Sequence, residues 1–480
     1  MEPVDLTPVE RRVWRAFPTG TPVDVRDGTD DDPENGGGWG RARTVRAEVL
    51  RKLLLRPPVD DDVAALRVTG ARITGVLNLQ HATVAHPVRL MACRFDETPV
   101  LYGARVRQMN LSESYLPGLF AATLKVDGVL RITGCRIPGR VHLGGARLSG
   151  AFFLDRARLG TDGETEGTLH LNHSVIEDDV WGVGLNVRGG VRLAGASVSG
   201  VVNLEGAVVS DPGGLALDAA NLTVGSDVNA TRGRFAGEVN VRGATIPGLL
   251  VLTEARLSSL RATSAAIGEV WLREGRVDGE ANLLRGRFGL LHVPPGALGG
   301  EVWLDGLTYA SLTPRLPAKV RIALLERDAE GFVPHAYEQL AASYRQAGDD
   351  RAARNVQLAK QRRYRSTRPL YARMWGYLQD VTVGYGFRPV WAAAWLAGLL
   401  AIGTIVFGLD HPEPLKDTEH PAFNAPFYTL DLLLPIIDFG QEKAFKAAGW
   451  HQWLAYTLIA TGWVLATTIA AGVTRTLSRQ

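Results

Sequence analysis

The stretch "CRIPGRVHLGGARLSGAFFLDRARL", residues 135–159, contains two copies of one short pattern. Each copy reads small–x–aliphatic–x–Gly–x–aliphatic–x–aliphatic, and the pattern returns after 11 residues where copies abut, as from Gly139 to Gly150. Apolar and polar residues alternate within a copy, which is the period of a strand and not of a helix. Such strands are too short to be stable alone, so the copies must stack on one another.

Further copies of the pattern occupy most of the chain between residues 66 and 307. They include "ARITGVLNLQHATV" (71–84), "ASVSGVVNLEGAVV" (196–209), "GRFAGEVNVRGATI" (233–246), "ATIPGLLVLTEARL" (244–257) and "GRVDGEANLLRGRF" (275–288). This repeat predicts a mainly β protein built as a parallel β-helix, or solenoid, with two units in each coil. Roughly eleven coils would form a rod on the order of 50 Å long. A β-sandwich with longer strands is the alternative.

The small residue that opens each unit is expected to lie in a cramped inward corner of the coil. This slot is occupied by Ala71, Cys93, Cys135, Ala146 and Ala196. The slot gives both cysteines of the chain a packing role, and two cysteines make no disulfide framework.

The two ends of the repeat carry helical patterns that would cap an otherwise open sheet edge. Residues 44–55 have the apolar stripe of a capping helix, and residues 27–40 before them are predicted to be a flexible acidic linker or loop. Residues 316–328 are predicted to be helical, and residues 335–365 to form a helix pair broken at Gly348.

The predicted organisation therefore has four parts. They are an N-terminal linker with its capping helix (1–60), the β-helix (61–313), a basic helical linker (314–380), and a transmembrane domain with a re-entrant segment (381–480).

Two charge-free apolar runs, 389–409 and 453–473, are long enough to cross a bilayer as helices. Buried core helices are the alternative interpretation. A run of arginines precedes the first apolar run and forms a basic collar, defined as Arg362, Arg363, Arg365, Arg368 and Arg373. The positive-inside rule then predicts a multi-pass protein of the inner cell membrane with both termini cytoplasmic. Anionic lipid headgroups are a better partner for the collar than nucleic acid, because the collar adjoins a membrane helix.

The segment between the two apolar runs, residues 421–445, is too apolar for a plain extracellular loop. A short helix, a proline break and an acid indicate a re-entrant pore loop. The candidate pore and selectivity residues are Thr429, Asp431, Pro435, Asp438 and Gly440. A helix lying on the outer leaflet, with Phe423, Phe427, Tyr428 and Phe439 in the interface, is the alternative.

A pore from two helices per chain requires self-association, as a tetramer in this prediction. Small residues at Gly462, Ala466, Ala470 and Ala471 suit helix packing in such an oligomer. The letters of a potassium filter, "TVGYG", occur at residues 382–386. They precede the first apolar run instead of lying between the two runs, so they are predicted to form a turn and not a filter.

Several segments together resemble a family of actinobacterial membrane proteins. These segments are "AEVLRKLLL", "YEQLAASYRQAGDDRAARNVQLAKQRR", "TVGYGFRPVWAAAW", "YTLDLLLPIIDFG" and "GWVLATTIAAGVTR". Members of this family combine pentapeptide-like β-helical repeats with a C-terminal two-helix hairpin. They are often labelled membrane-associated oxidoreductases or likened to two-helix ion channels. The resemblance covers nearly the whole chain and implies the same fold, but it supplies no catalytic residues.

The sequence contains no motif that an oxidoreductase would need. It has no G-x-G-x-x-G between a strand and a helix and no C-x-x-C, and the expected cofactor and metal content is none. His142, His170 and His173 are the only candidate metal group, and uncommitted surface histidines are the simpler interpretation.

These features favour an oligomeric, cation-channel-like membrane protein whose cytosolic β-helix senses or recruits an unknown partner. A non-catalytic, membrane-anchored β-helix scaffold is the second hypothesis. An oxidoreductase is the third, and it depends on the family label alone.

Overall fold

The computed structural model describes residues 5–28, 31–57, 63–161, 167–366, 369–370, 389–416, 421–434 and 437–477. The chain divides into two compact units, Met1–Ser343 and Tyr344–Gln480.

The first unit is a parallel β-solenoid of about 11 coils, which confirms the predicted β-helix. Each strand pairs with its counterparts one coil before and one coil after, so that Lys125 lies between Arg105 and Arg147 in parallel register. The spacing of about 22 residues per coil corresponds to two 11-residue units. A β-sandwich would pair antiparallel neighbours instead.

The strands of this unit are short because every coil turns a corner after a few residues. In chain order they are β1 (Val23–Asp24), β2 (Thr44–Arg46), β3 (Leu66–Thr69), β4 (Arg72–Thr74), β5 (Thr83–Val84), β6 (Val88–Met91), β7 (Arg94–Phe95), β8 (Arg105–Val106), β9 (Met109–Asn110), β10 (Leu119–Phe120), β11 (Lys125–Val126), β12 (Leu130–Arg131), β13 (Arg136–Ile137), β14 (Val141–His142), β15 (Arg147–Leu148), β16 (Phe152–Phe153), β17 (Arg158–Leu159), β18 (Leu169–His170), β19 (Val175–Ile176), β20 (Val180–Trp181), β21 (Asn186–Arg188), β22 (Val191–Arg192), β23 (Ser197–Val198), β24 (Val202–Asn203), β25 (Val208–Asp218), β26 (Thr223–Val224), β27 (Val228–Asn229), β28 (Arg234–Asn240), β29 (Thr245–Val251), β30 (Arg256–Arg261), β31 (Ala266–Trp271), β32 (Arg276–Val277), β33 (Ala281–Asn282), β34 (Arg287–His292), β35 (Val302–Trp303) and β36 (Thr308–Thr313). They form sheets of 20, 13 and three strands.

Inward-facing aliphatic side chains fill the coils. Ile137, Val141 and Leu143 of one coil are all fully buried, and burial of each such side chain contributes about 1.5–3 kcal/mol. Cys93 and Cys135 occupy the predicted inward corner, and burial raises the pKa of each thiol to about 12. Both are therefore unreactive core thiols at neutral pH.

The N-terminal end of the solenoid is closed by two helices, α1 (Pro8–Ala16) and α2 (Ala47–Leu54), with a 3-10 turn at Gly36–Gly38 between them. The predicted capping helix is therefore present, but it begins at Ala47. Thr44–Arg46 forms β2 instead and pairs with β4, because the open ladder offers hydrogen bonds that the residues before Ala47 would otherwise lack.

A buried carboxylate holds this N-terminal cap to the solenoid. Glu10 of α1 is fully buried, forms a reciprocal capping box with Thr7, and accepts hydrogen bonds from the backbone N–H and the guanidinium of Arg46. Burial acts to raise the pKa of Glu10, but the hydrogen bonds from Arg46 and Thr7 outweigh it and leave the pKa below its ordinary value. The folded state thus stabilises the ionised form of Glu10.

We expect Glu10→Gln to lower the free energy of unfolding at pH 7 by about 1–3 kcal/mol, because charged hydrogen bonds are lost. A carboxyl whose pKa is lower in the folded state stabilises the protein above its unfolded pKa. That contribution disappears as the pH falls through the folded pKa. The difference between wild type and variant should therefore shrink in acid, as measured by urea unfolding across the pH range. Glu48→Gln removes only an exposed pair with Lys52, and a similar loss in that control would contradict the prediction.

The C-terminal end of the solenoid is covered by α3 (Ala318–Leu325), again at a predicted helix. The buried guanidinium of Arg321 donates to the carbonyls of Val293, Thr313 and Pro314, so it satisfies backbone oxygens of the last coil. The predicted helix pair follows as α4 (Pro334–Gln346) and α5 (Asp350–Ser366). Gly348 has a φ of 78° and breaks the pair, and the Asp349 side chain accepts from the N–H of Ala352.

The second unit continues from Tyr344 and contains the C-terminal helices. These are α6 (Pro389–Leu409), α7 (Ala425–Leu433), α8 (Gln441–Ala444) and α9 (Trp450–Leu477), with a small antiparallel pair, β37 (Glu413–Pro414) and β38 (Phe445–Lys446).

Only one helix among the described residues, at Trp391–Leu409 in α6, is long and apolar enough to cross a membrane. The second predicted span, 453–473, lies within α9 as a helix, and its side chains after Thr467 lie outside the described residues. The two-span, multi-pass topology is therefore not confirmed.

Candidate functional site

The predicted re-entrant segment contains α7, which packs against both α6 and α9. Tyr428, Leu432 and Leu433 of α7 are buried in one apolar cluster with Phe407 of α6 and Leu458 of α9. The helix is thus held inside this unit by its own neighbours.

Two glycines make room for α7. A Cβ at Gly403 of α6 would overlap the methyl group of Thr429, and a Cβ at Gly462 of α9 would lie 2.8 Å from the carbonyl carbon of Leu433. Gly462 belongs to the small-residue face that was expected to support oligomers. In the structure the absence of a side chain at Gly462 leaves room for the backbone of α7 of the same chain.

Asp431 is a buried anchor between α7 and the segment that follows it. Its Oδ1 accepts from the N–H of Phe439 at 2.6 Å, and its Oδ2 accepts from the N–H groups of Gln441 and Glu442 at 2.8 and 3.2 Å. Three backbone donors thus replace water around the carboxylate and fix the polypeptide after α7 against that helix.

The other candidate pore residues have different environments. Thr429 is fully buried and donates to the carbonyl of Ala425. Asp438 is exposed, and hydrogen bonds from Lys443 and then from the N–H of Gly440 hold its pKa below the ordinary value. Gly440 itself has a φ of 78° and starts α8. Pro435 lies outside the described residues.

The aromatic residues of the alternative, interfacial interpretation are divided between the core and the surface. Tyr428 is buried and Phe423 packs against the same cluster, whereas Phe427 and Phe439 are exposed with ring centroids 5.1 Å apart. Of these four aromatic residues, this pair is the part that remains available to a membrane interface.

The basic collar is described only in part. Arg362, Arg363 and Arg365 lie in the last turns of α5, where Arg362 and Arg363 are exposed. Arg368, Arg373 and the "TVGYG" stretch lie outside the described residues, so the membrane role of the collar stays a prediction.

A second candidate site is a column of arginines on the outside of the solenoid. Because consecutive coils are in register, the residue after each small corner residue stacks on its counterpart in the next coil. The column runs in order through Arg72, Arg94, Tyr115, Arg136, Arg158, Asn186, Val208, Arg234, Arg256 and Arg276. Its rungs are about 4.8 Å apart, and like charges at this spacing destabilise a sheet unless they have counter-ions.

The acidic segment near the N-terminus binds two of the early rungs of this column, one through backbone carbonyls and one through carboxylates. Arg94 donates to the carbonyls of Pro33 and Glu34 at 3.3 and 2.5 Å, and Arg136 pairs with the carboxylates of Asp32 and Glu34. The segment was expected to be a flexible linker or loop, and its described residues form a loop docked on the solenoid.

The anchor of this loop is Arg43, which is buried. Its guanidinium stacks over the Trp39 ring at 3.7 Å, pairs with Asp31 at 2.9 Å and donates to the carbonyl of Gly70 at 3.0 Å. The acidic loop is therefore fixed at its base as well as on the column.

The arginine column was not identified from the sequence, although its signal was present in the repeat. The quoted copies place Arg directly after the small residue in "CRI", "ARL", "GRF" and "GRV". Which of these arginines share one column depends on the coil length, and that length was measured only by the strand register. His142 and His170 pack edge to face at 5.5 Å. No group of three or more metal-ligating side chains occurs among the described residues.

Comparison with protein-family models, with curated proteins and with solved structures yields no match to this chain. The observed solenoid agrees with the β-helical part of the family resemblance.

Proposed function

We propose that the protein is a membrane-anchored, non-catalytic scaffold whose β-solenoid binds a partner on its outer side-chain columns. The observation that supports this proposal is that the inside and the outside of each coil carry different kinds of side chain. Aliphatic side chains fill the interior, whereas charged and polar side chains stack in continuous columns outside. A repeated, rigid outer surface is the feature that solenoid proteins use for binding.

The anchor in this proposal is the hairpin of α6 and α9 with α7 between them. Only 17% of the apolar stretch of α6 is buried within the protein, and Ile402 and Ile405 are more than half exposed. On α9, Trp453 and Trp463 are likewise exposed. Lipid would cover these side chains, and the basic collar would place the solenoid in the cytoplasm.

Membrane retention of the full chain tests this proposal. We expect the wild type to stay in the membrane pellet after carbonate washing. Ile402→Arg with Ile405→Arg should release it, because each central Arg costs about 2.5–3.5 kcal/mol in a bilayer. Val63→Arg with Val320→Arg is the matched control, since both are exposed apolar residues of the solenoid unit. Recovery of the wild type in the soluble fraction would refute the anchor.

A cation channel is the second candidate, favoured by the position of α7 as a short helix between two longer ones. In this version Asp438 is the acid exposed to a permeating ion, whereas Asp431 only holds the loop. Purified protein in planar bilayers should then pass cation current that falls in Asp438→Asn. If the wild type passes no current in this assay but is still retained in membranes, the scaffold hypothesis is favoured over the channel hypothesis.

A further inference from the structure

The arginine column consists of two halves with different surroundings. Arg72, Arg94 and Arg136 in the first half have carboxylate partners, which are Asp96 and the acidic loop. In the second half Arg234 and Arg256 are exposed, and none of the carboxylates that the structure describes forms an ion pair with them.

The nearest acids do not neutralise this second half. Arg276 has a partner in Asp278 at 2.6 Å. Glu254 and Glu274 precede Arg256 and Arg276 by two residues, but they line a groove of about 420 Å³ beside Trp271 on the neighbouring side of the coil. Three successive basic rungs, Arg234, Arg256 and Arg276, therefore share one local counter-ion.

We propose that this second half of the column, defined as Arg234, Arg256 and Arg276, is the docking surface for an extended segment rich in Asp and Glu from another protein. The inference rests on the scaffold function and names the chemistry of its partner. The chain itself places carboxylates on this column at the first half, where Asp32 and Glu34, two positions apart, both pair with Arg136.

The dimensions of the column fit such a segment. Three rungs at about 4.8 Å span roughly 10 Å, which an extended chain covers with about three residues. Alternate residues of an extended chain project to the same side, so acids at positions i and i+2 face the arginines together. Guanidinium groups bind carboxylates with paired hydrogen bonds, and the association should weaken as salt rises.

The test uses the full chain in detergent and a fluorescent peptide copied from residues 27–36, "DGTDDDPENG". We expect saturable binding by anisotropy that weakens with salt, and no binding of the same peptide with Asn and Gln in place of its acids. Arg234→Ser with Arg256→Ser and Arg276→Ser should weaken binding about tenfold, the sum of three exposed ion pairs. The matched control is Arg41→Ser with Arg107→Ser and Arg242→Ser, three exposed arginines outside the column, and it should bind as the wild type does.

A second variant adds an independent readout. Asp32→Asn with Glu34→Gln should free Arg136 from both of its carboxylate partners, whereas Arg94 keeps Asp96. A second peptide should then bind per chain, at Arg136. Glu48→Gln with Glu97→Gln removes two exposed acids outside the loop, and this control should still bind one peptide per chain.

Three results would overturn the proposal. They are absence of saturable peptide binding, equal losses in the column and control triple variants, and tighter binding of phosphatidylserine vesicles or single-stranded DNA at the same three arginines. If peptide binding fails but the column variant still stays in the membrane pellet after carbonate washing, the docking proposal is wrong and the membrane anchor of the scaffold proposal is unaffected.

Discussion

Asp431→Ala is expected to destabilise the C-terminal unit by about 3–5 kcal/mol. The substitution leaves the N–H groups of Phe439, Gln441 and Glu442 without the buried carboxylate that accepts from them. Removal of one partner from a buried charged network carries a cost of this size. Thermal unfolding of the detergent-solubilised protein, followed by tryptophan fluorescence, measures the loss.

The matched control for this substitution is Asp438→Ala, seven residues further along. Asp438 is exposed, and its partners Gly440 and Lys443 can turn to water. Unfolding of Asp438→Ala should therefore be close to that of wild type. Equal behaviour of the two variants would show that Asp431 is not an anchor. Such a result would return it to consideration as an ion-binding residue.

Gly225→Ala is expected to break the stacking of two coils and to cost at least about 3 kcal/mol. A Cβ at this position would lie 2.8 Å from the carbonyl carbon and 3.3 Å from the Cα of Ser199 in the preceding coil, and it would overlap the carbonyl oxygen. The obstacle is backbone, which cannot rotate away, so the ladder must separate locally. Overpacking of this kind costs about 1–3 kcal/mol even where side chains can move.

Urea unfolding followed by circular dichroism of the β signal measures this effect. Gly40→Ala is the control, because a methyl group added at Gly40 would have no heavy atom within 4 Å and the backbone there is not left-handed. The control should unfold at the wild-type urea concentration. A Gly225→Ala protein as stable as this control would show that the coils can separate without loss.

The repeat in residues 135–159 determined the solenoid, because its information is local. Alternation of side chains, a small residue at the corner and a glycine at the turn recur in the copies quoted above. Each coil therefore packs its inward aliphatic side chains in the same way, as Ile137, Val141 and Leu143 do in one coil. The same reasoning predicted the capping helices and the break at Gly348, whose signals lie within a few residues of each other.

The sequence did not predict contacts between distant residues. The acidic loop was open to interpretation as a linker because Arg94 and Arg136, its partners, are about 60 and 100 residues away. Asp431 was interpreted as a candidate pore residue because its three donors become its neighbours only when the chain folds back after α7. Hydropathy predicted two membrane spans, and the described residues contain one helix long and apolar enough to be such a span, in α6.

The sequence by itself thus determined the period, the strands and the apolar interior of the coils. The tertiary structure alone decided which arginines form one column, which of them the chain neutralises itself, and what the carboxylate of Asp431 binds. The physical reason is that strand periodicity depends on neighbours along the chain, whereas counter-ions and hydrogen-bond partners depend on distances set by the coil length and the fold.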